Sequence, residues 1–162
     1  MARLGGTIKI GAEIPAAKSA VLAINDHLCQ ALPDGKIIFS ISGGNAKNLA
    51  EQVKINLRDH GRSARYVAPK NTATILHNGL VRRKSDFTVI ADKIFYTLAI
   101  QPIEKFSQRD YGRPGRDARS GMLPPKLAQM LINLSEAKTE AVLLDPFCGS
   151  GTILMEAALI GF

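Results

Sequence analysis

Eight consecutive residues near the C-terminal end, Asp145, Pro146, Phe147, Cys148, Gly149, Ser150, Gly151 and Thr152, combine the types that hold a small charged ligand. Two glycines leave the backbone bare, so a ligand can lie against it. A helix opening at Thr152 presents unpaired N–H groups to an anion. Asp145 offers a carboxylate to a cation. A phosphate-cradling loop is disfavoured, because it needs a lysine directly after its last glycine and none occurs between Asp145 and Phe162. A dinucleotide fingerprint is disfavoured by Leu154, which stands where a third small residue is required. Cys148 has no histidine nearby in sequence and reads as a packing residue that touches the ligand rather than as a nucleophile. The plain alternative is a glycine turn that only reverses the chain.

The elements around these residues must deliver them. Residues 141–144, AVLL, form an apolar run of strand length that Asp145-Pro146 closes, which predicts a central parallel strand buried on both faces. After the glycines, Ile153, Met155, Glu156, Ala157, Ala158 and Leu159 predict a helix. Strand, glycine turn and helix in this order place a ligand at the carboxyl end of an open α/β sheet. Upstream, Leu123-Pro124-Pro125 starts a helix with Leu127, Met130, Leu131 and Leu134 along one stripe. In the segment 108–122, Arg109, Arg113, Arg116 and Arg119 are expected to pair with Asp110 and Asp117 or to touch phosphates.

The first 101 residues read differently. Residues 4–10 end in a short alternating strand. Helical spacing follows over 15–31, a strand over 36–41, a helix over about 46–60 stopped by Gly61, and a short strand over 65–68. A helix capped by Asn71 or Thr72 then reaches about Leu80, and strands over 87–91 and 93–100 form a hairpin joined across Asp92-Lys93. The net charge of +7 is concentrated here: Lys47, Lys54, Arg58, Arg62, Arg65, Lys70, Arg82, Arg83 and Lys84 face only Glu51 and Asp59 between residues 47 and 84. Lys47, Glu51, Lys54 and Arg58 follow at helical steps and share one outward face. Such a block points to a polyanion, RNA or DNA before membrane, with a merely solvated face as the alternative.

The run 145–152 resembles the first motif of class I S-adenosylmethionine-dependent methyltransferases, in the form used by RNA methylases that carry THUMP domains. Arg109-Asp110-Tyr111-Gly112-Arg113-Pro114, followed by residues 121–128 (GMLPPKLA), resembles the start of the methyltransferase domain in the tRNA guanine-N2 methyltransferase group. Residues 61–65 and 97–101 are similar to parts of a THUMP domain, an RNA-binding module, and residues 4–10 to the segment before it. The resemblance implies an α/β chain: a remnant of an N-terminal domain or linker (1–14), a THUMP-like RNA-binding domain (15–106), a linker (107–122), and the first strand and helices of a truncated Rossmann-like methyltransferase domain (123–162). It implies S-adenosyl-L-methionine as cofactor, held by residues 145–152, with the methionine part against Gly149–Gly151 and the cationic end near Asp145. RNA, most of all tRNA, is the implied partner, bound through the basic block.

The same resemblance implies a natural N-terminal portion ahead of residue 4. It places the acid that holds the cofactor ribose and an Asn/Asp-Pro-Pro-aromatic motif after residue 162. No catalytic residue is therefore named, and the chain alone is expected to be inactive. A standalone RNA-binding module and a methyltransferase of rRNA or DNA are the alternatives. His27, His60 and His77 lack neighbours at metal-ligand spacing and read as surface or boundary residues. Two cysteines, no secretory signal and no membrane-length apolar run give a cytoplasmic expectation.

Overall fold

The computed structural model describes residues 3–15, 19–114, 121–138 and 140–162. The chain divides into two compact units, 9–100 and a second made of 1–8 with 101–162. It is an α/β chain, with a five-stranded sheet confined to the first unit. No described helix is long and apolar enough to cross a membrane.

The sheet unit runs β1 (Lys9–Glu13), α1 (Ala20–Ala31), β2 (Ile37–Ser42), α2 (Ala46–Asp59), β3 (Ala64–Tyr66), α3 (Thr72–His77), β4 (Asp86–Ile90) and β5 (Lys93–Ile100). Strand order is β1-β5-β4-β2-β3, with β2 parallel to both β3 and β4 and the β4–β5 and β5–β1 pairs antiparallel. Ile37, Phe39 and Ile41 alternate onto one face of β2 and pack with Phe87 and Ile94. Ile24 and Leu28 of α1 and Ala50, Val53 and Leu57 of α2 complete that core. Ile75, Leu80 and Ile100 form a smaller cluster with Ile38 and Val81.

Local signals set the helix ends. Ser19 Oγ accepts from Leu22 N–H at 3.3 Å to start α1, and Asn71 Oδ1 accepts from Thr74 N–H at 2.9 Å to start α3. At the end of α2, Gly61 N–H bonds Arg58 O and Arg62 N–H bonds Leu57 O, a Schellman closure that the left-handed Gly61 (φ +73°) permits. The same closure, Gly79 to Leu76 and Leu80 to Ile75, ends α3 at His77, short of the expected Leu80. The hairpin loop is Ala91-Asp92 rather than Asp92-Lys93, because Ile90 pairs with Lys93. Residues 9–13, expected to belong with a preceding segment, add edge strand β1 to β5.

The second unit contains α4 (Ile103–Tyr111), α5 (Pro125–Leu134) and α6 (Thr152–Leu159). Residues 4–6 lie against α5 so closely that a Cβ on Gly5 would meet Lys126 O at 2.0 Å. Gln101 Nε2 donates to Gly5 O at 2.7 Å and Asn133 Nδ2 to Arg3 O at 2.7 Å, which fixes that approach.

One expectation fails here. Residues 141–144 form no strand, and Val142 and Leu144 are 97% and 84% exposed. A parallel strand draws its backbone hydrogen bonds from neighbours, and this unit holds no strand among its described residues. An apolar run without a ladder partner forms no strand, and most of it stays solvated.

Candidate functional site

The glycine bend is formed without the strand that was expected to deliver it. Asp145 Oδ1 accepts from Phe147 N–H at 3.0 Å, closing a turn on its own backbone, and Gly151 N–H bonds Cys148 O at 2.7 Å to close the next. Gly149 (φ +50°) and Gly151 (φ +77°) are both left-handed, and Gly151 is the N-cap of α6. A Cβ on Gly151 would meet nothing within 4 Å, so glycine is required there by backbone conformation and the surface over the bend is open. No side chain caps the first N–H groups of α6. Phe147 is 93% exposed, Cys148 and Ser150 are exposed, and Thr152 is buried. Pro146 is exposed as well.

Two arginines reach this helix. Arg109 of α4 makes a bidentate pair with Glu156 of α6, Nε to Oε1 at 2.5 Å and Nη2 to Oε2 at 3.2 Å. Gln129 of α5 donates to Glu156 Oε2 at 2.8 Å, so one almost fully buried carboxylate ties three helices. The Arg109 guanidinium also lies 4.6 Å from the centre of the Phe106 ring. Arg113 donates from Nη2 to Ser150 Oγ at 2.7 Å and from Nη1 to Thr152 Oγ1 at 2.9 Å. The expected pairing of these arginines with Asp110 is thus replaced by bonds to α6 and its bend. Arg116, Asp117 and Arg119 lie outside the described residues. Arg109, Arg113, Pro125, Thr152, Met155, Glu156, Ala158 and Leu159 line a pocket of about 400 Å³. Glu156 and Gln129 went unrecognised as site residues in the sequence, although a lone acid in an apolar helix was the available signal.

The basic block separates into anchored and presented residues. Arg62 donates to Leu32 O at 2.6 Å and is half-buried; Arg65 reaches Asn78 Oδ1 at 3.4 Å. Lys47, Glu51, Lys54 and Arg58 are all exposed along α2, as their spacing predicted. Glu51, Lys54, Ile55 and Arg58 join residues 61–64 in a groove of about 670 Å³ beside the edge strand β3. Lys70, Arg82 and Lys84 are exposed on the connections around α3, and Arg83 is half-buried.

The same unit buries a polar centre that the sequence reading missed. Asp86 is fully buried, paired to Lys9 Nζ at 2.9 Å and accepting from Thr97 Oγ1 at 2.6 Å and from Ser40 Oγ. Hydrogen bonds to both oxygens and a cation offset the desolvation of the carboxylate. An acid opening an otherwise apolar strand was its only sequence trace.

His27 is half-buried between the Phe87 and Tyr96 rings, with Nε2 3.0 Å from Lys84 O. Burial pushes its pKa below the ordinary histidine value. His60 and His77 are exposed, and no group of three metal-ligating side chains occurs among the described residues.

Residues 113–162 match the family described as RMKL-like, methyltransferase domain. The chain is 43% identical over 76 residues to the tRNA (guanine(10)-N2)-dimethyltransferase of Methanothermobacter thermautotrophicus, covering 45% of this chain and 22% of that protein. It is 54% identical over 41 residues to the tRNA (guanine(6)-N2)-methyltransferase of Thermus thermophilus, covering 25% and 12%. A third similarity, 45% over 58 residues, is to the ribosomal RNA large subunit methyltransferase K/L of Shewanella sediminis, covering 34% and 8%. The chain therefore spans about a quarter or less of the length of these relatives.

Proposed function

From the premise that residues 113–162 carry part of an RMKL-like methyltransferase domain, we propose that this chain belongs to an S-adenosylmethionine-dependent enzyme that methylates guanine N2 in tRNA. The observation that carries the reading is the bend before α6, two left-handed glycines opening onto uncapped helix N–H groups inside the family-matched segment. Its bare backbone and open surface fit the amino-acid part of that cofactor. When bound, the cofactor supplies a methyl group made electrophilic by its sulfonium. The protein's part is to bind and orient: Asp145 suits cationic groups, and the N–H groups of α6 suit a carboxylate. Exposed Lys47, Lys54, Arg58, Arg65, Lys70, Arg82 and Lys84 on a THUMP-like module would hold RNA by its backbone, in a salt-sensitive and largely sequence-independent way. The target guanine must leave its helix to be reached.

Isothermal titration of S-adenosylmethionine into the full-length gene product, with Gly149→Val and Gly151→Val, tests the cofactor site. Binding that both variants abolish is the expected result. Mass spectrometry of tRNA, rRNA and DNA after incubation tests the substrate, and methylated DNA would sink the RNA reading. Methylated rRNA would place the protein with the K/L relatives instead. A second reading, an RNA-binding module without activity, is favoured by the solvated residues 141–144, which leave the cofactor half without its sheet. Tight tRNA binding without any S-adenosylmethionine binding would select it.

A further inference from the structure

The two arginines at α6 are neutralised differently. Arg109 has a carboxylate, Glu156, on two of its nitrogens. Arg113 meets hydroxyls instead, Ser150 and Thr152, and its Nε is buried without a partner among the described residues. A guanidinium fork is built to take the two oxygens of an anion, and among the described residues two neutral oxygens leave its charge without a carboxylate partner. Each hydroxyl that accepts from Arg113 still has its own proton to donate. The locus therefore joins a full positive charge, two further donors and the uncapped N–H groups of α6, all within the bend assigned to the cofactor. Every one of these groups favours a carboxylate.

We propose that Arg113 recognises the carboxylate at the amino-acid end of the methyl donor. This rests on the cofactor reading above and adds a division of labour: Asp145 serves the cationic part and Arg113 the anionic part, so that together they fix which way round the amino acid lies. Residues 145–152 are then only half of the cofactor's first contact, and the other half arrives from the segment after α4.

The test compares S-adenosylmethionine with its decarboxylated analogue by isothermal titration into the full-length gene product, unaltered and as Arg113→Met and Arg113→Lys. The unaltered protein is expected to prefer the carboxylate-bearing ligand by about tenfold to a hundredfold, the range of a charged hydrogen-bonded contact. Arg113→Met cuts most of that preference by weakening S-adenosylmethionine alone, and Arg113→Lys retains more of it. Equal weakening of both ligands overturns the proposal and leaves Arg113 as a prop for the bend. If circular dichroism shows the methionine variant unfolded, the lysine variant decides: an undiminished preference there also overturns it. An unaltered protein that binds neither ligand overturns the cofactor reading itself, a different failure from the loss of selectivity alone.

Discussion

Two apolar runs of similar length, residues 37–41 (IIFSI) and residues 141–144 (AVLL), meet opposite fates. The first becomes β2, with β3 and β4 hydrogen-bonded on either side and α1 and α2 packed over it, so that Phe39 is wholly buried. The second stays out of any strand with Val142 almost wholly exposed. Composition does not separate them. A strand inside a parallel sheet is a collective object whose hydrogen bonds and burial both come from other segments. The two units differ in the same way. The sheet unit is organised by an apolar core, whereas the helical unit is held at its centre by Arg109, Glu156 and Gln129.

The contrast between the runs can be broken most sharply in the core. Phe39→Ala should cost about 3–5 kcal/mol, while Leu144→Ala should change stability by less than about 0.5 kcal/mol; urea unfolding of both variants checks this. In a longer product that supplies sheet partners, Leu144→Ala should become costly, and a neutral result there would show that residues 141–144 never enter a sheet.

The contrast between the units is sharpened by Arg109→Met, which strands the buried Glu156 carboxylate at a cost of about 3 kcal/mol or more. Arg109→Met combined with Glu156→Met should recover most of that loss, because no buried charge remains unpaired. If the single variant unfolds at the same urea concentration as the unaltered chain, the ion pair does not organise the helical unit.

A smaller effect is expected at a helix end. Asn71→Ala removes the acceptor for Thr74 N–H and should cost about 1 kcal/mol, readable as a shift of the urea midpoint.

The smallest effect is a pH dependence at His27. Its pKa is lowered in the folded state, mainly by burial, so the unfolded chain binds the proton more readily. Stability from this residue is present above the ordinary histidine value and falls as pH drops through that value, near 6.5, toward the folded one. The groups around it are Lys84, Phe87 and Tyr96. His27→Gln should flatten the stability profile between pH 7.5 and 5.5, about one pH unit either side of that value, in urea titrations at a series of pH values.

Much of the sheet unit was readable in advance because its signals are local. Apolar spacing marked α1 and α2, Gly61 marked a helix end, and short apolar runs between turn residues marked β2 and the β4–β5 hairpin, each enforced by the residue's own conformational limits. The glycine bend was readable for the same reason: only glycine is at ease at φ +77°. Glu156 and Asp86 were not, since an acid in an apolar element says nothing of the cation that will meet it. Nor was the division of the basic block, in which Arg62 is drawn to Leu32 O while Lys54 and Arg58 remain presented.

The sequence by itself determined where α1, α2, α5 and α6 lie, the glycine bend before α6 and the exposed charged face of α2, because these depend on torsional preference and on side chains a few residues apart; α4, which runs into the expected linker 107–122, was not foreseen. The tertiary structure alone decided that residues 9–13 extend the sheet, that residues 141–144 do not form one, and that Arg113 rests on Ser150 and Thr152. Each of those outcomes needs a partner from a distant segment, and pairing at a distance is settled by which surfaces fold against each other.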